Sequence, residues 1–150
     1  MGNVNVPRLV IYYTMSRYIY VDIIRRGEKI GTLKIKQAWI PLNYDTLLSM
    51  DSALAAVAKT GSIIYYVLPL QLRQENSTRP VPKKGDVLLM PQHRALGVAL
   101  EDTDPPPFPA TRAGEVSEGL SKLAQLKPGD VVILKFKEAV EEESGEEDGG

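Results

Sequence analysis

The sequence predicts a mainly β protein, a single domain of several strands with two short helices. The chain of 150 residues has room for one domain with a real core, but not for a second domain of similar size. Several segments are dense in β-branched and aromatic residues and are separated by glycines or prolines, whereas only two segments have helical spacing. A hydrophobic fraction of 43% with 25% charged residues is typical of a globular domain.

The first predicted elements are strands. Residues 8–25 are rich in Ile, Val and Tyr, whose side chains fit a pleated surface. Gly27 and Gly31 supply a turn, and residues 32–36 then alternate polar and apolar side chains. This pattern predicts a hairpin with one face in water.

Two segments have the three-to-four residue spacing of a helix. The first spans residues 45–59 and ends at Gly61, with apolar residues at Leu47, Met50, Leu54 and Val57. The second lies within residues 117–126, with Leu120, Leu123 and Leu126 on one face and a stop at residues 127–129.

The other apolar runs predict four more strands, at residues 63–68, 86–90, 95–100 and 131–136. Residues 104–109 contain four prolines, which cannot donate ladder hydrogen bonds, so an extended surface loop is expected there.

The charge is divided unevenly along the chain. The formal net charge is −1, but residues 138–150 contain seven acids and no base. With eighteen basic and twelve acidic residues, the first 137 residues carry +6. We therefore expect a folded domain over residues 1–137 and a disordered acidic tail over 138–150, which acts as a solubiliser or competes with anionic partners for the basic surface.

Several chemistries are excluded or disfavoured. The absence of cysteine excludes disulfides, thiolate metal sites and cysteine nucleophiles. The one histidine, His93, lies in no hydrolase motif, and we interpret it as an exposed loop residue. We expect no metal, no cofactor and no membrane contact. The sequence shows no targeting segment, and we expect a cytoplasmic location.

Four short motifs in chain order carry a resemblance to a known family. They read Ile-Tyr-Tyr at 64–66, Gly-Asp-Val at 85–87, Arg-Ala-Leu at 94–96 and Glu-Gly-Leu at 118–120. Together with the hairpin, this series resembles the cyclophilin-like barrels, especially the small prokaryotic cyclophilin-like proteins of uncharacterised function. The resemblance covers about residues 18–137. It implies a single closed antiparallel β-barrel with two short helices and a groove that binds a peptide or small ligand.

The resemblance also implies how prolyl isomerase activity would be lost. The isomerase arginine of cyclophilins falls on Tyr66, which is neutral and lacks the fixed charge and forked donors of arginine. The family's pocket phenylalanine falls on Gln71, its methionine falls on Leu72, and only its glutamine is kept, at Gln74. No catalytic residue is therefore assigned.

The most favoured function is a non-catalytic module that binds a peptide, a protein segment or a small ligand in a groove on the side of the barrel. The groove candidates are Tyr65, Tyr66, Gln71, Gln74, Met90, His93 and Arg94. Two alternatives stay open. One is a weak or divergent prolyl isomerase. The other is a nucleic-acid or polyanion binder that uses the basic hairpin residues Arg25, Arg26, Lys29, Lys34 and Lys36 and is regulated by the acidic tail.

Overall fold

A computed structural model describes residues 10–76 and 80–147 of the chain as an eight-stranded barrel. The strands are β1 Val10–Arg25, β2 Glu28–Lys36, β3 Ser52–Thr60, β4 Ile63–Val67, β5 Asp86–Met90, β6 Ala95–Ala99, β7 Thr111–Glu118 and β8 Val131–Glu147. Two short helices, α1 Tyr44–Ser49 and α2 Leu120–Leu123, lie between strands. Short 3-10 turns follow β2 at Gln37–Trp39 and β5 at Pro91–His93.

The strands close on themselves in the order β1-β2-β7-β5-β6-β4-β3-β8, and each neighbouring pair is antiparallel. The predicted class, a mainly β closed antiparallel barrel with two short helices, is confirmed. Within the described ranges, no helix is long and apolar enough to cross a membrane.

The interior of the barrel is one apolar core. Alternate residues of each strand point inward, as the two-residue period of a strand requires, and every strand contributes to this core. The innermost side chains are fully enclosed and include Ile19, Leu33, Ile64, Leu89 and Leu134.

The outer wall is covered on one side. All five residues of β5 and all five of β6 are buried, so both faces of these two strands are excluded from water. Their outward side chains form a second apolar cluster with Ile63, and Ala110 and Phe108 of the proline-rich segment pack on it. The predicted proline loop therefore lies against the outside of the barrel wall and covers these two strands.

The first predicted helix is mostly wrong. The helix α1 ends at Ser49, and Asp51 takes a left-handed backbone conformation with φ of 62°. From Ser52 the chain is a strand in which Ala53, Ala55 and Val57 point inward, while Leu54 is 66% exposed. The helical spacing of Leu54 and Val57 was a coincidence, because the pairing of β3 with β4 and β8 requires a period of two.

The sequence analysis missed strand β7. It has no run of apolar side chains, and Gly114 lies where an added Cβ would overlap the carbonyl group of Lys34. This close approach allows β7 to pair with β2. The second predicted helix is correspondingly shorter, since β7 occupies residues up to Glu118.

The C-terminal segment also differs from the expectation of disorder from residue 138. Strand β8 continues to Glu147, and its residues from Ile133 onward pair with β1. This acidic segment has few apolar side chains to bury. Its order comes instead from the backbone hydrogen bonds that it forms with β1. Residues 148–150 of the predicted tail lie outside the described residues.

The assignment of β3 as a strand predicts that substitutions at two positions change the stability by different amounts. Val57→Ala should lower the free energy of unfolding by about 2 kcal/mol, because the Val57 side chain is buried in the core. Leu54→Ala should change it by less than about 0.5 kcal/mol, because Leu54 points to solvent. Chemical denaturation of both variants measures the difference. A helix over residues 45–59 would bury both side chains, and equal losses would contradict the strand.

Candidate functional site

The seven groove residues predicted from the sequence do not share one surface. They fall into three groups that the barrel wall separates. Tyr66 points into the core, Tyr65, Met90 and His93 belong to the outer cluster, and Gln71, Gln74 and Arg94 are exposed at the ends of strands and in loops. The alternation of side chains along β4 sends Tyr65 and Tyr66 to opposite faces, as expected for neighbours in a strand.

Tyr66 is the residue on which the isomerase arginine would fall, and it is enclosed in the core with 0% exposure. Its hydroxyl has no hydrogen-bond partner among the described residues. Burial raises the pKa of this hydroxyl above its usual range, so the group stays neutral. A neutral side chain inside a closed barrel offers neither charge nor access to a ligand on the surface.

The outer group is held together by aromatic contacts. The ring of His93 packs edge-on against Tyr65, with 5.2 Å between centroids, and against Phe108 at 4.6 Å. The Nδ1 atom of His93 is buried and has no partner among the described residues. His93 is therefore half-buried beneath the proline loop, and the expectation of an exposed loop histidine is corrected.

The segment that carries Gln71 and Gln74 is fixed to the start of α1 by buried polar groups. The Asn43 side-chain amide donates to the Glu75 carboxylate at 2.7 Å and to the Arg73 carbonyl at 2.9 Å. Its Oδ1 accepts from the Arg73 backbone N–H at 2.7 Å. Glu75 is only 3% exposed, so this segment is held by a satisfied network and leaves Gln71 and Gln74 in solvent.

A groove that the sequence analysis did not identify lies between β1 and the turn after β2. Its volume is about 310 Å³, and residues 15–18 and 36–39 line it. The strand register places Tyr18 directly opposite Lys36, so these two stretches meet across the β1–β2 pair. Trp39, the only tryptophan of the chain, stands in this groove in the 3-10 turn. We call it the Trp39 groove.

Two cations lie over the Trp39 ring. Lys36 Nζ is 4.2 Å from the ring centroid, and the Arg112 guanidinium carbon is 4.7 Å from it. The Asp86 carboxylate holds Arg112 through an ion pair of 3.0 Å. No described carboxylate forms an ion pair with Lys36. Among the side chains that the structure describes, no ion pair therefore neutralises the positive charge of Lys36 in the Trp39 groove.

A third cation borders the groove. Lys34 Nζ lies 4.1 Å from the Tyr18 ring centroid and 3.3 Å from the Glu141 carboxylate. The other oxygen of Glu141 accepts from the Tyr20 hydroxyl at 2.8 Å. Burial acts to lower the pKa of Lys34, but hydrogen bonds with Tyr20 and Glu141 outweigh it and the pKa is raised. Lys34 therefore stays charged, and Glu141 binds it.

A second acid of β8, Glu138, lies opposite the inward-facing Ile19 of β1 and therefore points away from the face that carries Lys34 and Glu141. The Tyr44 hydroxyl donates to Glu138 at 2.8 Å, and Arg17 pairs with this carboxylate at 3.4 Å. Burial, followed by the hydrogen bond to Glu138, raises the pKa of Tyr44 above its usual range.

The residues of the groove had only a weak signal in the sequence. Lys34 and Lys36 were assigned to a basic hairpin, but nothing in the local pattern showed that Trp39 would join them. A pairing of the hairpin that placed Tyr18 opposite Lys36 would have revealed an aromatic and cationic surface.

The fold and this surface define the class of protein as a closed eight-stranded antiparallel β-barrel with a basic, aromatic groove. No protein-family model matches the chain, and no curated protein matches its sequence. The hypothetical protein AF2241 from Archaeoglobus fulgidus has a similar solution structure, with a TM-score of 0.62 and 17% sequence identity. The match covers 79% of this chain and 94% of that protein. This likeness shows the shared barrel fold.

Two of the buried tyrosines, Tyr44 and Tyr66, predict contrasting effects of removing a hydroxyl. Tyr66→Phe should leave the free energy of unfolding unchanged or raise it by up to about 1 kcal/mol, because the deleted hydroxyl is buried without a partner. Tyr44→Phe should lower it by about 1 kcal/mol, because the bond to Glu138 is lost. Urea unfolding of both variants measures this. A clear loss of stability in Tyr66→Phe would mean that the hydroxyl has a partner.

Proposed function

We propose that this chain is a non-catalytic binding module on a cyclophilin-like barrel, and that it binds a peptide segment or small ligand through an anionic group in the Trp39 groove. The order of the four sequence motifs along the closed barrel supports the cyclophilin-like assignment. The observation that carries the binding proposal is Lys36, a lysine without an acidic partner among the described residues, lying over an indole ring in a groove of about 310 Å³.

The chemistry of the groove suits a ligand with two parts. The ammonium group of Lys36 attracts a carboxylate or phosphate, while Met15, which lines the same groove and is 60% exposed, favours an apolar group. The nearby Arg112 is fixed by Asp86 and so can keep the indole ring in place without moving itself. A site of this kind recognises a ligand by charge and by apolar contact.

The enclosure of Tyr66 argues against the isomerase alternative. A prolyl isomerase must polarise an amide that is bound in an open pocket, and the residue at the arginine position is neutral and inside the barrel. Gln74, the one residue kept from the family's pocket, is exposed on a loop and lies apart from Tyr66.

The groove predicted from the sequence around Tyr65, Met90, His93 and Arg94 is a second possible location for the same ligand class. Its apolar part is occupied by the chain itself, since Phe108 of the proline loop packs against His93 and the outer cluster. A peptide would have to displace this loop to reach Tyr65, whereas the Trp39 groove is open. We therefore favour the Trp39 groove.

A broad polyanion surface is favoured less than a single anionic subsite. Lys34 lies directly opposite Glu115 of β7 and binds Glu141 of β8. Acids therefore flank the basic residues on two sides, and they would repel the regularly spaced phosphates of a nucleic acid. A ligand with one or two well-placed anionic groups avoids these acids.

The first test is for isomerase activity. The full chain should not accelerate cis-trans exchange of a Xaa-Pro peptide in exchange NMR, because Tyr66 is enclosed and uncharged. Gln74→Ala is the matched variant, and it should give the same rate as the wild-type chain. Acceleration that Gln74→Ala abolishes would show that the non-catalytic proposal is wrong.

The second test locates binding. Small carboxylates and phosphates that carry a planar apolar group should shift the NMR signals of the Trp39 indole N–H and the Lys36 amide, whereas matched neutral amides should not. Lys36→Gln should weaken binding about fivefold, as for loss of one exposed charge contact. Lys59→Gln, which removes a lysine exposed on β3, is the control and should bind as the wild-type chain does.

The pattern of shifted signals decides between the two locations. Shifts around Tyr65 and His93 would place the ligand in the groove predicted from the sequence and would contradict the Trp39 groove. Binding that Lys36→Gln and Lys59→Gln weaken equally would show only an effect of net charge.

A further inference from the structure

We infer that the ligand of the Trp39 groove is an acidic peptide segment in extended conformation, and that Glu141 of β8 occupies the position of one of its carboxylates in the free chain. This inference rests on the proposed function. It specifies the class of ligand and adds a competition by the chain's own C-terminal strand.

The Glu141 carboxylate lies in a small site made for an anion. One oxygen accepts from the Tyr20 hydroxyl at 2.8 Å, and the other accepts from Lys34 Nζ at 3.3 Å. The Tyr18 ring, which lines the Trp39 groove, supports the same ammonium group at 4.1 Å. The register also places Glu141 opposite Ser16, another residue of the groove wall. The anion site and the groove are therefore continuous.

The spacing of the two lysines matches an extended peptide. Lys34 and Lys36 are two residues apart on β2, and their side chains share the outward face. Residues at positions i and i+2 of a strand are about 7 Å apart. Acidic side chains at alternate positions of an extended ligand have the same separation, so one carboxylate can reach Lys36 while the next reaches Lys34.

Glu141 can leave its position without opening the barrel. Its side chain is 40% exposed, and ion pairs between partly exposed groups hold weakly. A change of side-chain rotamer frees Lys34 and Tyr20, while the backbone of β8 keeps its pairing with β1. The internal carboxylate is thus a competitor that a ligand can displace.

The occupant itself favours a peptide over a nucleic acid. The anion bound in the free chain is a carboxylate presented by an extended strand, which is the chemistry of an acidic peptide. Glu115, exposed on β7 and opposite Lys34, leaves less room for a continuous row of phosphates.

The experiment compares matched charge variants of the full chain. The probe is a short capped peptide that alternates Glu and Ala, with a peptide that alternates Gln and Ala as its neutral control. Glu141→Gln removes the competitor, whereas Glu101→Gln makes the same change of charge at an exposed residue that neither lines the groove nor pairs with Lys34. Circular dichroism of each variant verifies the fold. Binding is followed by the fluorescence of Trp39.

We expect the Glu-Ala peptide to bind Glu141→Gln about threefold more tightly than the wild-type chain, as for removal of one exposed ion pair. Glu101→Gln should bind as the wild-type chain does, and the Gln-Ala peptide should not bind. An equal gain in affinity in both variants would mean that only the net charge matters, and it would overturn the inference. The absence of any gain in Glu141→Gln would also overturn it.

Two further outcomes separate this inference from the proposed function. If the small carboxylates still shift the Trp39 signals but the Glu-Ala peptide does not bind, the inference fails and the proposed function stands. If neither probe affects Trp39 in any variant, both fail. Tighter binding of a single-stranded oligothymidine than of the peptide to Glu141→Gln would replace the acidic peptide with a nucleic acid.

Discussion

The barrel depends on the backbone pairing of β8, which hydrogen-bonds to β1 on one side and to β3 on the other. Because β8 joins β1 to β3, every strand has two neighbours, and the sheet has no free edge among the described residues. The same pairing sets the positions of Glu138 and Glu141 along β1. Closure of the fold and the electrostatics of the groove are therefore decided by one strand.

Much of the fold could be predicted because β4, β5, β6 and the first part of β8 are continuous apolar runs. The errors arose in segments whose amino-acid composition did not indicate their backbone conformation. Strand β3 has alanines at two of its inward positions, Ala53 and Ala55, and its outward Leu54 completed a false helical pattern. Strand β7 depends on Gly114, because the absence of a side chain lets its backbone approach β2 closely. Glycine has no local preference for a strand that would have indicated this. Such features are set by tertiary pairing.

The site was less predictable than the fold for the same reason. Alternation alone predicts that Tyr65 and Tyr66 face opposite ways, but the proline loop decides how much of Tyr65 is accessible. Trp39 and Tyr18 are far apart in the sequence, and only the register of the hairpin brings them to one groove. The basic residues of the hairpin were noticed from the sequence, whereas their aromatic partners and the neutralising Glu141 were not.

The pairing of β1 with β8 also has a consequence for how the chain folds. Ile24 pairs with Ile133, more than a hundred residues later in the sequence, so the barrel has many non-local contacts and should fold slowly. During synthesis on the ribosome, β1 has to wait for its partner until nearly all of the described chain has been made. In that interval the apolar strands β1 and β3 each lack a neighbour, and a nascent chain of this kind is exposed to aggregation and suited to protection by chaperones.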